Sequence, residues 1–208
     1  MGQYYKPIIF NEDESVISLT SYDYDNGAKL TEHSYIGNSF VGAVEYMIED
    51  DPAMVVWAGD YADVEEGKED NLYNIIEDND KCIDVSPKYF QKQMKKGREH
   101  ILNMFQKVSD NTRYIINHTK KQYVDKTKCP TTDYDLVLHP LPLLTAEGNQ
   151  RGGGDYYGNN ERLVGIWARD FISVSKKKPT DEYEELVPNF KFKKERKKFT
   201  KVEKVSVL

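Results

Sequence analysis

The chain has 208 residues, of which 38% are hydrophobic and 31% are charged, and its formal net charge is −6. This length predicts one globular domain with a sizeable core, and no apolar run approaches the length of a membrane span. The start of the chain lacks a basic segment followed by a long apolar stretch, so we expect no secretory signal. The cysteines, Cys82 and Cys129, lie far apart without a CxxC motif, which favours a reducing, cytoplasmic setting.

Charge is unevenly distributed along the chain. Residues 49–84 carry thirteen Asp and Glu against two Lys, whereas residues 176–208 carry eleven Lys and Arg against six Asp and Glu. The acidic block disfavours nucleic acid on that face, and the basic tail would attract a polyanion or an acidic partner. Solvated surfaces are the simpler interpretation of both blocks.

The first half of the chain predicts strands, turns and one clear helix. The predicted elements are a strand at 3–10, its return strand at 15–22, a helix at 39–49, a buried strand at 53–59 and a short helix at 71–77. The first two strands form a hairpin, in which Pro7 indicates an edge strand or a bulge. Asn38 or Ser39 can cap the start of the helix.

The second half begins with a helix signal and continues with strands. Ser86 and Pro87 are typical of a helix start, and an apolar stripe then runs to Val108, interrupted by Gly97. Residues 113–125 predict a second hairpin, and residues 163–175 predict a further strand. Residues 136–145 are strongly apolar, but their two prolines exclude a central strand in the second half of this segment.

These elements predict an α+β fold with a mostly antiparallel sheet that is built from hairpins and packed by one or two helices. Strands do not alternate regularly with helices, so a doubly wound parallel sheet is not expected. We expect residues 1–175 to form a single globular domain. Residues 176–208 then form a basic C-terminal extension that packs on the same domain.

A glycine-rich segment is the first candidate for a ligand site. It contains Arg151, Gly152, Gly153, Gly154 and Asp155. Successive amides of such a loop can form an anion nest, and an arginine adds a fork suited to phosphate or carboxylate. The segment lacks the Lys-Ser/Thr of a P-loop and the spacing of a dinucleotide fingerprint. A loop that only turns the chain remains the alternative.

Several other residues are candidates for ligand binding or catalysis. Tyr156 and Trp167 could stack on a base, Arg169 lies near them in sequence, and His33 precedes a helix N-terminus that would favour anions. His139 and Asp155 are the candidate catalytic residues. A histidine of this apolar segment is, however, more often a satisfied core residue.

Acidic residues supply a weaker set of candidates. The segment after the buried strand at 53–59 contains Asp60, Asp63, Glu65 and Glu66. Asp60 is the best metal candidate among them, but acidic surface loops are far commoner than metal sites, so we predict no metal. A short echo, W-A-x-D-aromatic, relates Asp60 to Asp170. The histidines and cysteines show no paired spacing for zinc.

Several blocks together resemble an uncharacterised family of small bacterial and phage proteins. They are MGQYYKP, EHSYIGNSFV, VVWAGDYAD, YIINHTKKQYVD and HPLPLLTAEGNQRGGGDYYG. The resemblance covers most of residues 1–175 and implies a protein of the bacterial cytoplasm, including the host cytoplasm for a phage gene. It implies no activity, cofactor or catalytic residue.

Three functional hypotheses follow from the sequence. The first is a binding protein for a small anionic or nucleotide-like ligand, which could sequester a host signal. The second is a hydrolase or phosphotransfer enzyme, in which His139 acts as acid or base and Asp60, Asp155 or Asp170 binds metal or orients it. The third is a virion-associated or interaction protein that uses the basic tail and the acidic block as contact surfaces.

Overall fold

A mixed β-sheet of nine strands organises the part of the chain that the structure describes. The computed structural model describes residues 3–11, 13, 15–77, 82–132, 135–148 and 156–192. The strands are β1 (Tyr5–Phe10), β2 (Val16–Ser18), β3 (Ala53–Gly59), β4 (Cys82–Asp84), β5 (Tyr114–Asn117), β6 (Gln122–Asp125), β7 (Ala146–Glu147), β8 (Asp170–Ser175) and β9 (Glu184–Glu185). Their order is β4-β2-β1-β3-β8-β5-β6-β9, and β7 pairs with β3 off this path.

The pairing directions explain how far the predicted fold class holds. An α+β fold is confirmed, and both predicted hairpins, β1–β2 and β5–β6, form with antiparallel registers. The sheet is mixed, however, because β4, β7 and β9 pair in parallel with β2, β3 and β6. These parallel strands are only two or three residues long. Two or three residues cannot show the alternation of apolar and polar residues that predicts a strand.

The described residues form six α-helices, whereas the sequence predicted three helical segments, of which one or two would pack on the sheet. They are α1 (Leu30–His33), α2 (Ser39–Met47), α3 (Leu72–Glu77), α4 (Pro87–Met94), α5 (Arg98–Asn111) and α6 (Pro140–Leu144). Helices α2 and α5 pack on each other and on one face of the sheet, where the main core lies. Helix α3 covers a smaller apolar cluster on the other face. None of the described helices is long and apolar enough to cross a membrane.

Strand β1 is central, so the prediction that Pro7 lies on an edge strand was wrong. The strand pairs with β2 on one side and with β3 on the other. Leu19 N donates to Pro7 O at 3.3 Å, which shows that the backbone polar groups of Pro7 point towards the β2 side. Strand β2 ends at Ser18, one residue before Leu19, which lies opposite Pro7. The missing N–H of Pro7 therefore lies where the ladder has already ended, and it costs no hydrogen bond within that ladder.

Close packing of α2 on α5 depends on a glycine. Asn38 caps α2 as predicted, since its side chain accepts hydrogen bonds from the amides of Phe40 and Val41. A Cβ atom at Gly42 would lie 2.0 Å from the carbonyl oxygen of Phe105. Glycine therefore lets the two helix backbones approach closely, which seals the core on this side of the sheet.

The predicted helix from Ser86 to Val108 is divided into two helices. Ser86 is the N-cap and Pro87 the first residue of α4, as predicted. Lys95 then adopts a left-handed conformation with φ 53°, and Gly97 is the N-cap of α5. The apolar stripe continues across this break because both helices cover the same core, so periodicity alone could not reveal the division.

The segments around α6 and β8 differ from their predicted forms. We expected His139 to lie on a strand with Val137, but it is the N-cap of α6, and its ring Nδ1 accepts from Leu141 N at 3.2 Å. Pro140 occupies the first helical position, where a missing N–H is harmless. The predicted strand at 163–175 is restricted to β8, because the residues before Asp170 form turns.

The described part of the C-terminal extension packs on the sheet. Strand β9 pairs in parallel with β6, and Phe190, which is 2% exposed, joins the main core. Residues 193–208, which include most of the basic tail, lie outside the described residues.

Candidate functional site

Strand β3 changes its partner along one edge, and this fork positions the candidate site. The first three residues of β3 pair with β8, whereas Trp57 and Ala58 pair with β7. At the fork, Arg169 N donates to Val55 O at 2.9 Å and Trp57 N donates to Thr145 O at 2.8 Å. Strand β3 thus passes from β8 to β7 at this point, which we call the fork. Glu147, the last residue of β7, and Arg169, the residue before β8, lie on either side of it.

Arg169 bridges the fork by binding two carboxylates. Its Nε and Nη2 atoms donate to the two oxygens of Glu147 at 2.7 and 2.8 Å. Its Nη1 donates to Glu65 at 2.9 Å, and Nη2 makes a further short contact with the same carboxylate. These hydrogen bonds, first those to Glu65 and then those to Glu147, raise the pKa of Arg169 above its ordinary value. The guanidinium thus joins β7, β8 and the loop after β3.

The backbone of Arg169 is strained. Its φ angle is 65°, in the left-handed region that costs a residue with a Cβ atom roughly 1–2 kcal/mol. In this conformation the amide of Arg169 donates to Val55 O while its side chain turns towards Glu147 and Glu65. Strained residues persist where surrounding contacts hold them, and they concentrate at ligand sites and active sites.

An open cavity of about 170 Å³ adjoins this bridge. Its lining consists of one arginine, four carboxylate residues and small or apolar residues: Arg169, Asp63, Glu65, Glu66, Glu147, Ala62, Val64 and Gly148. Four carboxylates against one guanidinium give the described lining a formal charge of −3. The cavity therefore attracts positive charge and hydrogen-bond donors, and its described wall repels a bare anion.

The glycine segment adjoins this cavity in sequence. Arg151, Gly152, Gly153, Gly154 and Asp155 lie outside the described residues, as do residues 149 and 150. Gly148, directly before them, lines the cavity, and Glu147 belongs to the bridge. The predicted anion nest thus concerns a segment that starts at this cavity.

The other predicted ligand residues have structural roles, apart from Arg169. Trp167 is fully buried and donates from Nε1 to Gln122 Oε1 at 3.0 Å, so it has no ring face open for stacking. Tyr156 is 6% exposed and donates to the carbonyl of Asn159 at 2.8 Å. His33 is fully buried, which removes it from any described surface where an anion could bind.

The ring of His33 is satisfied as a neutral group. Its Nδ1 lies 3.0 Å from Gly27 O, and its Nε2 lies 3.0 Å from Trp57 Nε1. Because the indole can only donate, Nε2 accepts and Nδ1 carries the proton. Burial lowers the pKa of His33 to about 4, although the hydrogen bond to the Gly27 carbonyl acts to raise it.

His139, the candidate catalyst, belongs to a sealed charged cluster. Glu45 Oε1 accepts from Lys126 Nζ at 2.7 Å and from Thr112 Oγ1 at 3.0 Å. His139 Nε2 lies 3.0 Å from the same oxygen, although its N–H does not point at that oxygen. Glu45 and His139 are 0% exposed and Lys126 is 4% exposed, so none of them can contact a substrate from solution.

The charges of this cluster balance when the histidine is neutral. Burial lowers the pKa of His139, against the attraction of Glu45. Burial would raise the pKa of Glu45, but the adjacent His139 imidazole and the Lys126 ammonium, which donates a hydrogen bond to Glu45, outweigh it and hold that pKa at about 2. The ionised Glu45 and Lys126 then form a buried pair that joins α2 to the segment after β6.

The remaining acidic candidates have separate partners. Asp60 Oδ1 accepts from Tyr4 N at 3.0 Å beside the end of β3. Asp170 accepts from Asn117 Nδ2 at 2.8 Å and pairs with Lys120. Neither of them touches His139, so the described contacts bring no catalytic set together. Among the described residues, no group of three or more His, Cys, Asp or Glu is placed to hold a metal ion.

Sequence reasoning missed one of the three residues of the bridge. Arg169 was a predicted ligand residue, and Glu65 was named within the acidic loop, but Glu147 was not singled out. It lies in a strand of two residues, where no alternation can show which way a side chain points. Its position directly before the glycine segment was the available signal.

No protein-family model matches this chain, and neither the curated proteins nor the solved structures compared with it give a match. The resemblance to small bacterial and phage proteins therefore stays a prediction.

Proposed function

We propose that this chain is a small-molecule binding protein whose site is the cavity at the fork of β3, beside Arg169. The observation that carries the proposal is the bridge itself. A strained arginine, held by Glu65 and Glu147, lines an open cavity from which the glycine segment continues. A bidentate clamp of this kind fixes a polar wall in one geometry, as a specific binding site requires.

The charge of the cavity determines which part of a ligand it would take. The described lining carries a formal charge of −3. The guanidinium N–H groups of Arg169 are already engaged by the carboxylates of Glu65 and Glu147. A cationic group, or the amino edge of a nucleobase, fits such a wall better than a phosphate does. The predicted binding of an anion by Arg151 and the glycine amides stays a prediction from the sequence. A nucleotide-like ligand thus remains part of the proposal, with its donor-rich end in the cavity.

The size of the cavity is consistent with partial binding of such a ligand. Its volume of about 170 Å³ is below the range of roughly 300–1,000 Å³ that is typical of sites enclosing a whole drug-sized molecule. We therefore expect only one end of the ligand to enter the cavity.

Mass spectrometry of the purified, denatured chain tests the proposal directly. A released small molecule with an amine, guanidine or nucleobase is the expected result. The same compound, added back, should raise the melting temperature of the wild type but not of Glu147→Gln or Arg169→Ala. Arg162→Ala is the matched control, because Arg162 is an exposed arginine without an ion pair among the described residues. A ligand response that survives both site variants would contradict the proposal.

A further inference from the structure

One loop forms a wall of the cavity at the fork. Strand β3 ends at Gly59 and helix α3 begins at Leu72, and we name residues 60–70 between them the β3–α3 loop. The opposite wall belongs to the sheet edge and consists of Glu147, Gly148 and Arg169. The loop supplies the other lining residues, which are Ala62, Asp63, Val64, Glu65 and Glu66. A displacement of this loop would therefore change the width of the cavity.

The β3–α3 loop is not anchored in the core. The residues near its two ends, Ala58 and Leu72, belong to the smaller apolar cluster. Within the described part of the chain, none of the core clusters includes a residue of the loop, and Tyr61 and Val64 are 49% and 60% exposed. Segments with few buried apolar contacts open at a low cost in free energy.

The β3–α3 loop is closed on itself and held at its base. Glu65 N donates to Asp70 O at 3.0 Å, so the far part of the loop forms a compact unit. At the base, Asn71 Nδ2 donates to Asp60 O at 2.9 Å. The compact unit can therefore move about this base without losing its internal hydrogen bond.

Arg169 ties the loop to the sheet edge. Its Nη1 donates to Glu65 at 2.9 Å, while its Nε donates to Glu147 of β7 at 2.7 Å. The contact with Glu147 would keep the guanidinium in place when the loop moves, so the pair that must break is the one between Arg169 and Glu65. The side chains of this pair are 37% and 24% exposed, so water and dissolved ions can reach both charges. A partly exposed ion pair of this kind is weak and is screened by salt.

We infer that the β3–α3 loop is a lid over the cavity and that the pair of Arg169 with Glu65 is its latch. When the latch breaks, the loop wall moves away from the sheet edge and the cavity opens. A cationic ligand between the walls would pair with carboxylates of both, Glu66 of the loop and Glu147 of the sheet, and would hold the lid closed. The gating role rests on the proposed function, whereas the movement of the loop is a property of the chain without ligand.

Distances between two spin labels, measured by dipolar EPR spectroscopy on the full chain without ligand, test the lid. The labels are attached at two exposed positions, Lys68→Cys in the loop and Phe171→Cys on β8, in a chain that carries Cys82→Ser and Cys129→Ala. A rise in ionic strength from about 0.05 M to about 0.5 M should increase the population at the longer distance roughly twofold, because salt screens the latch. This series needs no substitution in the latch itself. A distance distribution that salt leaves unchanged would overturn the inference.

Single variants separate the latch from general effects of charge. Glu65→Gln should favour the longer distance already at low salt and should respond little to added salt, because its latch is broken. Glu69→Gln is the matched control, since Glu69 lies in the same loop, does not line the cavity and has no ion pair among the described residues. Equal distance distributions for the two variants would contradict the latch. Mass spectrometry of the released ligand decides the proposed function separately, so a loop that moves in a chain without ligand would support the lid and count against the binding role.

Discussion

Two charged clusters of this protein use similar residues in opposite surroundings. Glu45, Lys126 and His139 lie in the core with 0–4% exposure. Arg169 and its carboxylates at the fork of β3 keep 13–37% of their side chains exposed. The buried cluster contains the histidine that the sequence favoured as a catalyst, yet only the open cluster can be reached from solution. Access to solvent, rather than residue type, decides which cluster can have a function.

The two clusters should also differ in how strongly they affect stability. A buried charge that loses its partner leaves an uncompensated ion in a medium of low polarity, which is strongly destabilising. A partly exposed ion regains water when its partner is removed, so the loss is small. Mutations in the buried cluster are therefore expected to unfold the protein, and mutations at the fork to alter binding.

Removal of the buried lysine should have the largest effect. Lys126→Met leaves the ionised Glu45 without its counter-charge, and we expect the free energy of unfolding to fall by about 3–5 kcal/mol. Urea denaturation monitored by tryptophan fluorescence measures this loss. The double variant Glu45→Gln, Lys126→Met should recover part of it, because the stranded charge is removed. A double variant less stable than Lys126→Met alone would refute this account of the cluster.

Acid should lower the stability of the fold through its buried histidines. Burial lowers the pKa of His33 from 6.5 to about 4, so the unfolded chain takes up a proton more readily than the folded chain. The stability from this group is complete above about pH 6.5 and is lost as the pH falls towards 4. Between pH 7 and pH 5 we expect a loss of about 2 kcal/mol from His33, and the lowered pKa of His139 adds to it.

Unfolding free energies at pH 7 and pH 5 test this expectation. His33→Gln should be less stable than the wild type at pH 7 because the hydrogen bond from Trp57 is altered, but it should lose less stability on acidification. An equal loss in both chains would show that His33 does not contribute to the acid sensitivity.

The sequence predicted those parts of the fold that have a local signal. The start of α2 at Asn38 and the start of α4 at Ser86 follow from capping chemistry, and β3 follows from a short apolar run. Helix α6 was missed because two prolines in five residues exclude a central strand without indicating a helix, although Pro140 at the first helical position is compatible with one. Strands of two residues, such as β7, have no local signal.

The candidate site was predictable only in part, because it is made by long-range contacts. Glu65 and Arg169 are 104 residues apart in the chain, and their contact follows from the change of partner along β3. No periodic pattern encodes that fork. The same limit applies to His139, whose apolar neighbours indicated burial while its proximity in sequence to Asp155 suggested a site. Only the three-dimensional structure shows that His139, at the start of α6, lies beside Glu45 of α2.

The smallest expected effect concerns the backbone strain of Arg169 at the fork. Arg169→Ala and Arg169→Gly remove the same ion pairs with Glu65 and Glu147, but only alanine retains the cost of φ 65°. Glycine adopts this conformation freely, although it also gains entropy in the unfolded chain, so the glycine variant should be the more stable of the two by about 1 kcal/mol or less. Melting temperatures of the two variants measure the difference. If alanine is instead equal or better, the backbone relaxes when the side chain is removed, and the strain at Arg169 is then sustained by the bridge to the two carboxylates rather than by the fork of the sheet.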